Sequence, residues 1–359
     1  MRALAFLLVF LAHSLPYRDL PGGFGVTVFF FLSGYLITTL LRLEARATAS
    51  IDLKQFYLRR ILRIFPPCYV TVILVSVLAA FGLLYNTEPF RSLIAAFLYF
   101  SNYWNILGWG NLPAGLGVLW SLAVEEHYYL LFPLLYLWFV RRSLPRKRQA
   151  AILVALCAAA LAWRLVRALV LHSPWSNIYE GTDTRFDAIL FGCLLAILFN
   201  SRLGDPTSRF EHHARPLALA GLTLLAFTFA WRNSLFRDTI RYTLQSLALM
   251  PIFFYVTLPR ATALSTLLGS RPMRWIGQLS YSLYLIHHTL FHHIYHSHRP
   301  SFVSAAVVLG LSILYSQAMR SFVELPLQRF RRRLVPTATP PSSTLTPFPT
   351  TSSLPAAGD

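Results

Sequence analysis

Acidic residues are scarce in this 359-residue chain: 14 Asp and Glu stand against 32 Lys and Arg, for a formal net charge of +18. Charge of either sign makes up only 13% of the residues while 55% are hydrophobic, and the mean hydropathy is +0.52. A soluble domain carries about 25% charged residues, so an ordinary globular enzyme is excluded and a polytopic membrane protein is indicated. The excess of Lys and Arg sits in short loops between apolar runs rather than along one polar face, so no nucleic-acid partner is expected. Membrane lipids are the expected contact for those loops. Cysteine is nearly absent: Cys68, Cys157 and Cys193 lie in apolar surroundings without CxxC spacing. That excludes a disulfide framework or zinc motif and leaves inert buried thiols as the expectation. The chain also lacks GxxxxGK(S/T), GxGxxG and GxSxG, so a P-loop, a dinucleotide fingerprint and a serine-hydrolase elbow have no support.

What the chain does have is a series of apolar segments punctuated by arginine. Spans are expected at residues 2–13, 24–41, 65–84, 118–140, 149–171, 186–200, 216–231, 239–258, 276–295 and 301–323. Basic clusters fall at Arg42 to Arg63, Arg141 to Arg148, Arg202 to Arg215, Arg260 to Arg274 and Arg329 to Arg333. Excess Lys and Arg marks cytoplasmic loops, and all five clusters share one side if the segment 91–117 does not cross. That segment is therefore expected to be re-entrant or interfacial, roofing something on the outer side. The fold class that follows is an all-α polytopic membrane bundle of about ten transmembrane helices plus that one segment, with both termini cytoplasmic. Between Arg42 and Arg63, the apolar Phe56, Tyr57, Ile61 and Ile64 alternate with basic residues at helical spacing, which predicts an interfacial helix before the span at 65–84. The first run has the basic start of a signal peptide, but no small-x-small cleavage site precedes Pro16, so it is expected to be retained. One domain, 1–335, is expected, followed by a Pro/Ser/Thr-rich cytoplasmic tail, 336–359, too polar to fold.

Several ionisable groups sit where lipid makes them costly. From Arg2 to His13 an α-helix rises roughly 16 Å, half of a hydrocarbon core of roughly 30 Å, and an ionisable ring at that depth marks a candidate functional site. Glu125 and Glu126 lie in Trp120-Ser-Leu-Ala-Val-Glu-Glu-His127, and His287-His288 lie well inside the span at 276–295. These groups are expected to converge on an internal cavity, where a carboxylate would fix the imidazole tautomer as a general base requires. The plainer reading has a Glu paired with a loop arginine and the histidines at a wet helix end. His288, His292 and His296 share one helix face, but no carboxylate completes a metal site, so no metal is expected. Arg60 and Arg63 stand one turn apart, an arrangement suited to bidentate capture of phosphate or to orientation in the membrane alone.

Taken together, the motifs resemble the acyltransferase-3 family of integral membrane acyltransferases, which modify bacterial surface and exported glycans. The resemblance runs from Arg2 and His13 through Phe29-Phe-Phe-Leu-Ser33-Gly-Tyr35, Phe56-Tyr-Leu-Arg-Arg60-Ile-Leu-Arg63-Ile-Phe-Pro66 and Trp120-Ser-Leu-Ala-Val-Glu125. It continues in Arg185-Phe-Asp187, Gly277-Gln-Leu-Ser-Tyr-Ser-Leu-Tyr284-Leu-Ile-His287 and Val323-Glu324-Leu-Pro326. His127 and Tyr128 depart from the family, standing where Gln and Phe are common. The resemblance implies an acyl-coenzyme A donor, commonly acetyl-coenzyme A, on the cytoplasmic side, and as acceptor a hydroxyl of a glycan or other molecule reached from outside, in a bacterial inner membrane. It implies His13 as the catalytic base, with Arg60, Arg63 and Arg2 at the donor; Glu125 is expected to orient the imidazole. Ser33, Tyr35, Trp120, Asp187, Tyr284 and His287, which these motifs carry, are expected to line the substrate cavity. The alternative from another class is a proton-coupled transporter or flippase of a glycan or lipid-linked intermediate, since buried ionisable groups mark those as well.

Overall fold

A computed structural model describes residues 1–15, 21–205, 208–258 and 262–334, and the regular elements among them are all helices. The principal ones are α1 (Arg2–Ser14), α2 (Gly22–Thr48), α3 (Leu53–Ala80), α4 (Leu119–Arg141) and α5 (Arg146–Leu169). They are followed by α6 (Thr182–Leu198), α7 (Ala214–Ala230), α8 (Ile240–Thr257), α9 (Arg271–Ser297) and α10 (Phe302–Met319). Prolines stand where helices begin, Pro21 before α2 and Pro145 before α5, because a ring without an N–H costs nothing at a helix start. α10 opens on a capping box between Ser301 and Ser304. The loop residues 16–20, Arg260 and the tail 336–359 lie outside the described residues, as do the side chains of Arg202, Arg209 and Arg332.

Four helices among the described residues are long and apolar enough to cross a membrane: Gly22–Thr48, Leu53–Ala80, Arg146–Leu169 and Phe302–Arg331. They differ in what surrounds them. Of α2's most apolar window 78% is buried, against 33% for α3 and 22% for α5, so α2 is the axis of the bundle and the others turn apolar faces outward. α2 packs hardest on α6 at Gly34 and Gly192. A Cβ on Gly34 would collide with the Ile189 carbonyl, and one on Gly192 with the Phe31 carbonyl. The absence of side chains there lets the two backbones touch, the usual way apolar helices associate where hydrophobic attraction to a partner is weak.

One expectation changes in detail. The interfacial helix and the span after it are one helix: α3 starts at Asp52, whose carboxylate caps the Gln55 amide at 2.9 Å, and runs unbroken through Pro66 and Pro67. Within its basic turn Arg59 pairs with Glu44 of α2 at 3.1 Å and Arg60 lies over the Phe56 and Tyr129 rings, so part of the turn faces the bundle and not the membrane surface. The region after α3 is built only of short pieces, Phe90–Ser92, Leu93–Phe97, Ser101–Ile106 and Pro113–Val118, none long enough to span a hydrocarbon core. Its last piece is bent by Ala114 and Gly115, with φ of 49° and 74°, and lies on α9. A Cβ on Gly115 would come within 2.7 Å of His292 Cβ; glycine serves there both the left-handed turn and the close approach. The three cysteines are buried free thiols.

Candidate active site

α1 and α9 lie side by side in parallel register. Gly277 faces the first turn of α1, where a Cβ would stand 3.7 Å from Ala3 N and 3.9 Å from Arg2 Cβ. Ten residues further along each helix, His13 Nδ1 meets His287 Nε2 at 3.0 Å. The network assigns the protons. His287 is fully buried and its Nδ1 lies 2.8 Å from the Tyr284 carbonyl and 3.2 Å from that of Leu283. A carbonyl only accepts, so His287 Nδ1 carries hydrogen and its Nε2 offers a lone pair. His13 Nδ1–H must therefore donate to it, which leaves His13 Nε2 as the basic nitrogen. His288 in turn donates from Nδ1 to the Gly115 carbonyl at 2.6 Å, with its ring edge-on to His13 at 4.9 Å. Phe6, Phe10 and Phe291 wall the His287 ring with centroids 5.8 to 6.4 Å away. His13 lines a cavity of about 360 Å³ together with Tyr85, His288, Phe291, His292, Tyr295 and His296.

The other end of α1 is built of charge. Arg2 interacts electrostatically with Arg63 on α3, Glu125 on α4 and Glu324 beyond α10. Arg60 stacks over the Phe56 and Tyr129 rings, 5.6 Å from each centroid, and senses Arg63, Arg2 and Glu126. Its Nε is buried without a hydrogen-bond partner, as is Glu126 Oε1. The two arginines read from their spacing thus do share one locus, and Arg2 joins them.

Glu125 belongs to this end and not to the imidazole. Its carboxylate accepts from Ser33 Oγ at 3.0 Å and Tyr129 OH at 3.1 Å, and the ring it was expected to orient is held by His287 instead. The cause lies in the start of α4. The turn at Gly115 sits level with His288, and by Glu125 the chain has descended six helical residues, roughly 10 Å, toward Arg2. Tyr284 stands between the two ends, its OH 2.7 Å from Ser121 Oγ and its ring 5.5 Å from that of His287. Trp120 is buried beside Phe30 and Tyr179. Two further expected cavity residues lie elsewhere. Tyr35 is buried with its OH on Asn200 at 3.3 Å, and Asp187, fully buried, pairs with Arg164 at 2.5 Å and accepts from Thr243 at 2.8 Å. Both tie helices together; Asp187 is neutralised within the packing of α5, α6 and α8.

Sequence reasoning gave no site role to Tyr129 or Tyr85, nor to Glu324, which it met only as part of the Val323-Glu324-Leu-Pro326 motif. Tyr129 carries a signal, being one turn beyond Glu125 on the same face. Glu324 stands at the end of a π-helical turn, Arg320–Glu324, and accepts from Ser282 Oγ at 2.5 Å; such turns recur at functional sites. Tyr85, stacked on His296, has no sequence signal, because only the folding back of 81–118 brings it to α9.

Fold and site together define an all-helical membrane protein with an imidazole centre and a guanidinium cluster at opposite ends of one short helix. The chain belongs to the acyltransferase family described as "Acyltransferase domain", whose model matches residues 1–319. It is 31% identical to the peptidoglycan O-acetyltransferase OatA of Listeria monocytogenes over 351 residues, 92% of this chain and 55% of that protein. It is also 30% identical to a putative peptidoglycan O-acetyltransferase, YrhL, of Bacillus subtilis (91% and 54%) and 32% identical to the O-acetyltransferase OatA of Staphylococcus aureus (92% and 56%). The chain thus spans about half the length of the curated relatives it matches. No solved structure matches it.

Proposed function

We propose that this chain is a membrane O-acyltransferase that moves an acetyl group from cytoplasmic acetyl-coenzyme A to a hydroxyl of a cell-surface or exported glycan of the peptidoglycan class. One observation carries the reading: His13 has its Nδ1–H committed to His287, its Nε2 left as a base, and a cavity at its side. The names of the relatives supply the acetyl group and the glycan, and the arginines supply the donor end. In this reading the chain crosses a bacterial inner membrane about ten times, with both termini cytoplasmic, and residues 1–335 form the transferase domain ahead of the tail.

Arg2, Arg60 and Arg63 would hold the donor's phosphates, since guanidinium forks match phosphate oxygens and stay charged when partly buried. Roughly 16 Å of α1 then separates phosphates from base, and the donor's flexible arm bridges that gap so that the thioester reaches His13. His13 Nε2 takes the proton of the acceptor hydroxyl as its oxygen attacks the thioester carbonyl. The C–S bond breaks, and the thiolate leaves with the proton returned from the imidazolium. His287 holds the imidazole in register and accepts its Nδ1–H throughout. The same nitrogen could carry the acetyl group itself in a two-step route, which single-turnover kinetics without acceptor would separate from direct transfer.

The test is isotopically labelled acetyl-coenzyme A supplied to membrane vesicles containing wild type or His13→Ala, with O-acetyl glycan measured by mass spectrometry. Label in the glycan with wild type and none with His13→Ala is expected. Unchanged labelling in the variant refutes the role of His13, and glycan translocation without consumption of acetyl-coenzyme A would identify a transporter instead.

A further inference from the structure

A second cavity, of about 260 Å³, lies away from the imidazole centre, where the end of α2 meets the start of α5; it is lined by Arg42, Ala45, Arg46, Tyr136, Arg146 and Gln149. Its wall is organised by one carboxylate. Asp205 accepts from Arg42 at 2.7 and 2.9 Å, from Arg46 at 3.1 Å, from Arg146 at 2.8 Å and from the Asn200 amide at 3.1 Å. Five donors saturate a carboxylate, which offers about four lone-pair sites. Burial alone would raise the Asp205 carboxyl, but hydrogen bonds and charge from Arg42, with help from Asn200 and Arg146, hold it below its ordinary value.

The arrangement exceeds what a structural ion pair needs. Arg42, with its side chain 5% exposed, satisfies the buried carboxylate and also donates to the Ala196 carbonyl. Arg46 and Arg146 add two more positive charges, yet their side chains stay 48% and 45% exposed at the cavity. Arg146 spends one nitrogen on Asp205. Three guanidiniums against one carboxylate leave two net positive charges around an open space, with the Tyr136 and Gln149 side chains beside it. An oxyanion with several acceptor oxygens would relieve that repulsion and take up the remaining N–H groups. Basic pockets between helices at the end of a membrane protein are suited to phosphate head groups.

We propose that this cavity is a phosphate-binding site, separate from the donor arginines, that takes the phosphate of an anionic phospholipid head group or of a soluble phosphate compound. The test is thermal unfolding of the full chain purified in neutral detergent and titrated with phosphatidylglycerol, with diacylglycerol as the phosphate-free lipid, or with inorganic phosphate. Wild type, Arg46→Gln/Arg146→Gln and Arg141→Gln/Arg142→Gln are compared, the last pair removing equal charge from the exposed neighbouring turn. Stabilisation of wild type by phosphatidylglycerol alone identifies a lipid site, and stabilisation by both identifies recognition of the phosphate whatever its source. In either case Arg46→Gln/Arg146→Gln should need about tenfold more ligand or above, while Arg141→Gln/Arg142→Gln responds like wild type. If the Arg46/Arg146 double variant does not fold, Arg146→Gln alone serves, since Asp205 keeps Arg42. No stabilisation of wild type by either phosphate, or equal losses in both double variants, overturns the proposal.

Discussion

The two ends of α1 solve opposite problems. At the Arg2 end, cations from α1 and α3 lie within electrostatic reach of carboxylates from α4 and from the π-turn after α10, while the hydrogen bonds of Glu125 and Glu324 go to Ser33, Tyr129 and Ser282. At the His13 end the contacts are imidazole to imidazole, imidazole to carbonyl and imidazole to aromatic ring, and none of His13's contacts among the described residues is with a carboxylate. The first end is suited to holding a charged group and the second to moving a proton. A carboxylate beside His13 would stabilise its protonated form and so favour keeping the proton taken from an acceptor; a neutral imidazole partner fixes orientation and leaves the proton free to pass on.

Substitutions at the two ends should separate these duties. The largest effect is expected from His13→Ala, a loss of about 10²- to 10⁴-fold in transfer rate with unchanged membrane expression, read as O-acetyl product per mole of protein. Arg60→Ala with Arg63→Ala should raise the KM for acetyl-coenzyme A by about ten- to a hundredfold and leave acceptor KM alone; unchanged donor saturation would dissolve the division of labour between the ends. His287→Phe keeps the aromatic contacts with Phe6, Phe10 and Phe291 but removes the acceptor for His13 Nδ1–H. It should lower kcat by about ten- to a hundredfold at constant KM and alter the pH profile of kcat, which a merely structural defect would not. Gly34→Ala, at neither end, forces α2 off the Ile189 carbonyl and should cost about 1–3 kcal/mol of stability, measured as a lower Tm. Glu125→Gln is expected to be the mildest. With the amide oxygen still accepting from Ser33, the amide N–H donating to the Tyr129 oxygen in a reversed bond, and a negative charge removed beside Arg2 and Arg63, donor KM falls a few-fold while kcat stays; a collapse of kcat would return Glu125 to the imidazole.

Much of this could be read from the chain because it is local. Arg60 and Arg63 share a face by helical period alone, and the short pieces between 81 and 118 follow from turn-forming residues and the need to keep basic clusters together. The surroundings of Tyr35 and Asp187 were not legible for a different reason: a motif says that a residue matters, not whether it faces a cavity or a neighbouring segment, and the structure sets Tyr35 on Asn200 and Asp187 on Arg164. The continuity of α3 was missed because basic and aromatic residues alternating over 56–64 read as a helix lying in the interface, whereas the same turns run on through Pro66 and Pro67 as one helix.

Composition, hydropathy and the placement of arginine determined on their own that the chain is a helical membrane protein with an imidazole in its first apolar segment. Each of those rests on properties that accumulate residue by residue. Only the tertiary structure decided what that imidazole touches. The His13–His287 contact joins positions 274 apart, set by the parallel register of α1 and α9. The tautomer that leaves Nε2 basic follows from a carbonyl on a helix the first one never meets in sequence. A proton's place is fixed by the last atom in such a chain of contacts, and no local pattern encodes it.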